Sequence, residues 1–199
     1  MISLNTMRKN PALSEERASR VFEVSGGDFG NRLMVTRGMG RDVRQALVDA
    51  LTELPKGGVL YVDTRSLEFV DYSFADEALG ILVSRVAGGE YGERHLVLVE
   101  SDRDLLENVE ASLRQRNLAM LRVPEVGGEP AVVGVLEGHL LETLEAVRKV
   151  GPITTADLAA RLEVNHTACN NRATNLVERG LIARRKESGG RRYLYERIV

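Results

Sequence analysis

The sequence predicts two domains of different class: a mixed α/β domain, followed by a small domain with two short helices and a basic hairpin. Three observations support this division. Residues 19–123 alternate strand-like apolar segments with helix-like ones, which predicts helices packed on a sheet. The next stretch, 124–134, is rich in glycine and proline and predicts a linker. Residues 1–150 carry 18 basic and 24 acidic residues, whereas residues 151–199 carry 9 and 5, so only the end of the chain is basic.

Composition narrows the classes of function. A single cysteine excludes a disulfide framework and cysteine-rich zinc sites. The absence of tryptophan and an aromatic content of 5% disfavour a carbohydrate-binding or base-stacking surface. No apolar run reaches the roughly 18 residues of a membrane span, and the N-terminus has no apolar signal-peptide core. We therefore expect a cytoplasmic protein without membrane contact.

The first elements follow a polar, aperiodic stretch, residues 1–18, which we expect to be a mobile N-terminal segment. Arg20–Val24 and Arg32–Thr36 have the composition of strands and flank the glycine-rich turn Gly26–Asn31, which predicts a β-hairpin. Apolar residues at helical spacing then predict a helix over Arg41–Leu54.

The remaining elements of the α/β domain alternate. Val59–Val62 is a continuous apolar run, as expected for a strand at the centre of a sheet or covered on both faces. Further strands at His95–Val99 and Ala119–Val123 alternate with helices at Ser73–Val86 and Asp102–Gln115. This order predicts a mixed sheet with helices packed on it.

Ser73 is the candidate regulatory residue of this domain. It precedes a predicted helix and has Asp76 three residues later, which is the pattern of a capping box. A phosphate on Ser73 would interact favourably with the positive end of the helix but unfavourably with Asp71 and Asp76. Capping is the interpretation that we favour, and phosphorylation is the alternative.

The order of elements and the run VLYVDTRSLEFVDYSFADE, from Val59 to Glu77, resemble STAS-like domains, the class that includes anti-sigma-factor antagonists. The resemblance covers residues 19–123 and implies a domain that binds a regulatory protein. In antagonists a phosphorylatable serine follows an aspartate at a helix start, and Asp71 and Ser73 match those positions. Phe74 departs from the glycine that usually follows the serine.

The C-terminal segment begins with a predicted helix at Leu136–Val150. Thr154 and Asp157 then form a capping box for a short helix, and Asn165 is a good N-cap for a second one. Gly180 fits the left-handed position after the end of that helix. The second helix has a buried apolar stripe, which consists of Cys169, Ala173, Leu176 and Val177.

The opposite face of the second helix is polar, and its residues are His166, Thr167, Asn170, Asn171, Arg172 and Thr174. Such a face suits contact with the edges of DNA bases, and the alternative is an ordinary solvated face. Leu181–Lys186 and Arg191–Arg197 are predicted as the strands of a hairpin. Five cations surround its turn, namely Arg184, Arg185, Lys186, Arg191 and Arg192. They predict phosphate contact, with a merely solvated loop as the alternative.

The motifs TxxDLAxRLxV and LVERGLIxR, followed by a Gly-Gly turn and YxY, resemble the winged helix-turn-helix domains of bacterial transcription regulators. The resemblance implies that residues 135–199 form a winged helix-turn-helix domain that binds double-stranded DNA. The recognition helices of such domains commonly carry Ser, Thr or Arg at the positions of Asn170 and Asn171, so the operator sequence stays open.

Signals for catalysis are weak. An acidic cluster surrounds one loop and contains Asp63, Asp71, Asp76 and Glu77. Paired carboxylates support acid–base chemistry or bind Mg²⁺, but helix starts attract acids through the helix dipole, which is the interpretation that we favour. His166 and Cys169 are close in sequence, yet the cysteine belongs to the buried stripe. We expect no enzyme activity, no metal site and no cofactor.

Together these observations favour a DNA-binding transcriptional regulator whose winged domain binds duplex DNA and whose STAS-like domain senses a protein partner or a ligand. The alternative is a partner-switching adaptor, like the anti-sigma-factor antagonists, that acts through protein–protein contacts. We expect a homodimer, because DNA-binding domains of this size usually occupy two half-sites.

Overall fold

The computed structural model describes residues 17–24, 32–187 and 192–199. The chain divides into two compact units, Met1–Val135 together with Val199, and Leu136–Ile198. Almost all of the predicted mobile segment 1–18, and the predicted turn Gly26–Asn31, lie outside the described residues.

The first unit contains seven strands and four α-helices among the described residues, with one π-helical segment between two of the helices. In chain order they are β1 (Ser19–Glu23), β2 (Leu33–Met34), α1 (Arg37–Thr52), β3 (Val59–Asp63), β4 (Phe69–Val70), α2 (Tyr72–Ala75), the π-helical segment (Asp76–Gly80), α3 (Ile81–Ala87), β5 (His95–Val99), α4 (Arg103–Gln115), β6 (Ala119–Val123) and β7 (Ala131–Gly134).

A five-stranded sheet with the order β1-β3-β5-β6-β7 forms the centre of this unit. The first four strands are parallel and β7 is antiparallel to β6, so the predicted mixed sheet is confirmed. β3 lies between two other strands and all five of its residues are buried, as its continuous apolar run predicts. Because the parallel strands follow one another in order, right-handed connections place their helices on the same face of the sheet.

The predicted β-hairpin at the start of the domain is wrong. β1 pairs with β3 in parallel, from Ser19 opposite Val59 to Glu23 opposite Asp63. β2 pairs in parallel with β4 and forms a separate two-stranded sheet. A glycine-rich turn between two apolar runs predicts that the two runs pair with each other. In the structure β1 pairs with β3 instead, so that the apolar β3 has a strand on each side.

The predicted linker 124–134 also needs correction. Residues 131–134 form β7, which pairs with β6 from Ala119 opposite Gly134 to Arg122 opposite Ala131. The glycine that closes this strand has a φ of +98°, a conformation that other residues rarely adopt. Gly134, which contributed to the linker prediction, is required here because a side chain would overlap the Leu118 carbonyl just before β6.

The residue at which a helix starts depends on a capping side chain, which helical periodicity alone does not identify. α1 begins four residues earlier than predicted, because Thr36 Oγ1 accepts a hydrogen bond from the Met39 amide at 3.4 Å. Asp71, rather than Ser73, caps α2: its Oδ1 accepts from the Phe74 amide at 2.6 Å. Ser73 lies inside the first turn, so its predicted role as N-cap is wrong.

The described residues of the second unit form three helices and a small sheet. Its elements are α5 (Gly138–Val150), β8 (Ile153–Thr154), α6 (Thr155–Arg161), α7 (His166–Glu178), β9 (Ala183–Lys186) and β10 (Tyr193–Glu196), and the order of its sheet is β8-β10-β9. Within residues 17–24, 32–187 and 192–199, no helix has the length and apolar character that crossing a bilayer requires.

Candidate nucleic-acid interface

The turn between α6 and α7 is fixed by hydrogen bonds that the sequence predicts only in part. Thr154 Oγ1 caps α6 by accepting from the Asp157 amide at 3.2 Å, and Asn165 Oδ1 caps α7 by accepting from the Ala168 amide at 2.8 Å. Both predicted caps are confirmed. Glu163 closes α6 in a left-handed conformation, with a φ of +53°, and the Val164 amide donates to the Ala159 carbonyl at 3.1 Å.

The end of α7 is equally well defined. Gly180 has a φ of +72° and its amide donates to the Val177 carbonyl at 2.9 Å. The Leu181 amide donates to the Leu176 carbonyl at 2.9 Å, which completes a Schellman motif. The predicted glycine stop is confirmed, and it turns the chain directly into β9.

α7 presents the predicted polar residues toward solvent to different extents. Its buried stripe contains Cys169, Ala173 and Leu176, each with none of its surface exposed. The side chains of His166, Thr167, Asn170 and Asn171 are exposed, whereas those of Thr174 and Arg172 are half-buried. These four exposed polar residues all lie in the first half of the helix, so that half is the part able to enter a groove.

Arg172 is directed toward α5 and is already paired. Its Nη1 lies 3.3 Å from Glu142 Oε2, and only 21% of its side chain is exposed. Arg179, at the end of α7, lies 3.6 Å from Glu137 at the start of α5 and donates from Nε to Asn175 Oδ1 at 2.8 Å. These ion pairs hold α7 against α5, which is a positioning role that the sequence does not predict.

The hairpin of β9 and β10, the wing, distributes its cations between two faces. Lys186 lies opposite Tyr193, and Arg184 lies opposite Tyr195, so these four residues share one face. The Arg184 guanidinium lies 4.6 Å from the centre of the Tyr193 ring, a cation–π contact that keeps its charge available.

Arg185 projects from the other face of the wing. It lies opposite Leu194, and its Nε donates to Glu196 Oε2 at 3.1 Å. Glu196 is buried, so this contact neutralises Arg185 locally. Arg192 is exposed at the start of β10, whereas Arg191 lies outside the described residues.

A hydrogen bond joins the wing to α7. The Tyr195 hydroxyl, on the face that carries Arg184 and Lys186, donates to Asn170 Oδ1 at 3.5 Å. The cationic face of the wing and the exposed start of α7 are therefore neighbours. Tyr195 was not a predicted site residue, and the YxY pattern of the last strand is the only sequence signal that pointed to it.

Cys169 is not placed to bind a ligand. Its Sγ donates to the Thr155 carbonyl at 3.6 Å, and burial raises the pKa of the thiol. His166 is exposed on the other side of the helix. Across the described ranges, no group of three or more His, Cys, Asp or Glu residues is arranged to hold a metal ion.

Each carboxylate of the acidic cluster of the first unit has its own main hydrogen-bond partner. Asp63 accepts from Arg65 at 2.6 and 2.9 Å, and Asp71 caps α2. Asp76 accepts from Arg116 at 2.7 and 3.0 Å, and the hydrogen bonds from this guanidinium lower the pKa of the carboxyl.

The π-helical segment places two consecutive carboxylates, those of Asp76 and Glu77, in the interior. Glu77 accepts from Arg44 of α1 at 2.9 Å, while Asp76 also accepts from Ser112 of α4 at 3.1 Å. A side chain on Gly80 would overlap Ser112 Oγ, so the close contact with α4 requires glycine. The two carboxylates thus connect α1 and α4 to the segment and act as structural partners.

With this geometry, the second unit has the architecture of a winged helix-turn-helix domain: α6 and α7 form the helix pair, and β9 and β10 form the wing. The family model of the MarR family matches residues 141–192, which span most of α5, both helices of the pair and the start of the wing. The match supports the predicted C-terminal winged helix-turn-helix domain. No curated protein matches the chain.

Proposed function

We propose that this protein is a cytoplasmic transcription regulator that binds double-stranded DNA through its winged helix-turn-helix domain. The observation that carries the proposal is the neighbouring placement of the exposed start of α7 and the cationic face of the wing, which meet at Tyr195 and Asn170. The match of residues 141–192 to the MarR family supports it, since regulators of that family bind double-stranded DNA.

The two parts of this surface have separate tasks. His166, Thr167, Asn170 and Asn171 are short polar side chains that reach base edges when the start of α7 lies in the major groove. Arg184 and Lys186 bind phosphates of the backbone, which supply affinity without sequence preference. Arg172 and Arg185 serve as structural partners of Glu142 and Glu196.

The protein acts as a homodimer in this proposal. MarR-family regulators typically act as dimers, and a two-fold symmetric pair of winged domains would read two half-sites roughly 34 Å apart or a multiple of that spacing. Sedimentation of the purified protein, alone and with a bound DNA fragment, measures this directly. A complex with one chain per DNA site would contradict the dimer.

The first unit is the sensing domain in this proposal, and it has no catalytic role. The resemblance of residues 59–77 to STAS-like domains supports a regulatory protein as its partner, and Ser73 is half-buried in the first turn of α2, where phosphorylation would add charge close to Asp71. The same resemblance supports a second candidate function, that of a partner-switching adaptor that does not bind DNA.

Selection from a random double-stranded DNA library with the full chain distinguishes the two candidates. A regulator enriches a defined sequence, and its affinity for that sequence falls steeply as salt is raised, by roughly 0.9 in log K per log salt for each phosphate contact. An adaptor enriches no sequence and shows no salt-dependent shift of a DNA fragment, which would overturn the proposal.

A further inference from the structure

Tyr195 is buried in the winged domain but has its hydroxyl at the DNA-binding surface. Only 2% of the residue is exposed, because its ring packs into the interior from β10. Its Oη lies 3.5 Å from Oδ1 of Asn170, whose side chain is exposed on α7. A residue of the interior therefore contacts one of the side chains that the proposed function assigns to base recognition.

The chemistry of a phenol decides which end of the amide faces Tyr195. The oxygen lone pair of a phenol is delocalised into the ring, so the hydroxyl is a better donor than acceptor. An asparagine amide offers a carbonyl oxygen at one end and two N–H donors at the other. The contact thus favours the orientation in which Oδ1 points to Tyr195 and Nδ2 points away from it.

We infer that Tyr195 is a positioning residue that fixes the amide of Asn170 as a hydrogen-bond donor toward DNA, and so selects against cytosine at one operator position. This inference rests on the proposed function. In the major groove guanine, adenine and thymine each present an acceptor, whereas cytosine presents only its N4 donor. An amide held with Nδ2 outward pairs with an acceptor and meets a donor unfavourably.

Asn171 provides an internal comparison. It is also exposed on α7, but among the described residues no hydrogen bond is formed by its side chain. Its amide is able to rotate and to present either end to a base. The two neighbouring asparagines are therefore expected to differ in selectivity, although they are chemically identical.

The first experiment uses the full chain without DNA and measures the side-chain amide resonances of Asn170 by two-dimensional ¹⁵N NMR, assigned by their loss in Asn170→Ala. Tyr195→Phe removes the hydroxyl and keeps the buried ring, so we expect it to shift the Asn170 pair. Tyr193→Phe removes a hydroxyl from the same strand and face and should leave it in place. An Asn170 pair that does not respond to Tyr195→Phe would overturn the inference.

The second experiment repeats the library selection with the variants. The wild type is expected to deplete cytosine at one position by roughly fivefold or more. Tyr195→Phe should remove most of this depletion, and in the Asn170→Ala background it should have no further effect. Asn170→Asp, which does not disturb the interior, should reverse the preference toward cytosine, since a carboxylate accepts from N4.

Depletion of cytosine that persists in Tyr195→Phe, or a second effect of this change in Asn170→Ala, would contradict the role of Tyr195 in recognition. If the wild type enriches no DNA at all, the proposed function fails. The NMR measurement still decides whether Tyr195 holds the amide, so the two failures are distinguishable.

Discussion

Arg44 and Arg116 of the first unit and Arg184 of the wing have opposite surroundings, and the comparison explains which arginines are available to a ligand. In the first unit, Arg44 and Arg116 donate to the buried carboxylates of the π-helical segment. In the wing, Arg184 lies over an aromatic ring and faces no carboxylate in its cross-strand pair, whereas Arg185 is neutralised by Glu196. All of these residues are arginines, and whether a carboxylate lies next to each one decides its role.

The difference is one of desolvation. A carboxylate that is taken out of water needs hydrogen-bond donors or cations around it, so removing a paired arginine leaves a buried charge. Arg184 and Lys186 lie opposite tyrosines in the wing, so removing them leaves no buried carboxylate unpaired and should change stability little. We therefore expect substitutions in the first region to affect folding and those in the second to affect binding.

The largest expected effect is a loss of stability when a buried carboxylate of the first unit loses its arginine. Arg116→Met removes the main partner of Asp76 and should lower the free energy of unfolding by about 2 kcal/mol, a value reduced because the arginine is partly exposed. Arg114→Met, two residues earlier in the chain, removes only an exposed pair with Glu110 and should cost less than about 0.5 kcal/mol. Urea unfolding measures both, and equal losses would contradict the comparison.

The same ion pair predicts a pH dependence. Because Arg116 lowers the pKa of Asp76 in the folded protein, the stability it contributes is present above the unfolded-state pKa of about 3.9 and is lost as pH falls through the lower folded-state value. In Arg116→Met this loss should be smaller. Unfolding free energies measured between neutral pH and about pH 3 test the prediction, and identical slopes for the two proteins in acid would refute it.

A smaller effect is expected in the wing and concerns DNA rather than folding. Arg184→Ala with Lys186→Ala should weaken binding roughly tenfold at physiological salt and lower the salt slope by about two, while stability changes by less than about 0.5 kcal/mol. Arg185→Ala combined with Glu196→Gln, on the opposite face, removes an arginine without leaving Glu196 as an unpaired buried charge. This double variant is the matched control and should leave the salt slope unchanged. Fluorescence titrations at several salt concentrations distinguish the variants. An equal loss in the control would show that the face of the wing is irrelevant.

The smallest expected effect on stability is at Glu163, in the turn before α7, where two substitutions distinguish the contribution of its charge from that of its backbone conformation. Glu163 has a left-handed conformation that glycine adopts without strain, so Glu163→Gly should raise stability by about 0.5 kcal/mol. Glu163→Gln removes the charge and keeps the side chain, and it should have almost no effect. Thermal unfolding compares them, and a gain in the glutamine variant would assign the effect to charge.

Much of each unit was predictable because the signals are local. The strands Val59–Val62, His95–Val99 and Ala119–Val123 were confirmed within one residue, since apolar runs bounded by breakers depend on neighbouring residues only. The caps at Thr154 and Asn165 were confirmed for the same reason. The π-helical segment left no such trace, because its buried acids are stable only next to arginines more than 30 positions away.

In the winged domain the site residues were predictable from the sequence, but the contacts between them were not. The polar face of α7 and the cations of the wing follow from helical and strand periodicity. The pairing of Arg172 with Glu142 does not, since Glu142 lies on another helix. The contact of Tyr195 with Asn170 joins a strand to a helix 25 positions away, and only the packing of the whole domain brings them together.

The sequence by itself determined the kinds of element, the positions of most helix starts and stops, and the concentration of positive charge at one end of the chain. These properties depend on backbone propensities and on side chains within one turn or one strand. The tertiary structure alone decided that β1 pairs with β3, that Asp71 rather than Ser73 caps α2, and which arginines are neutralised. These features depend on which distant residues compete successfully for burial and hydrogen bonds. A local sequence pattern does not contain that information.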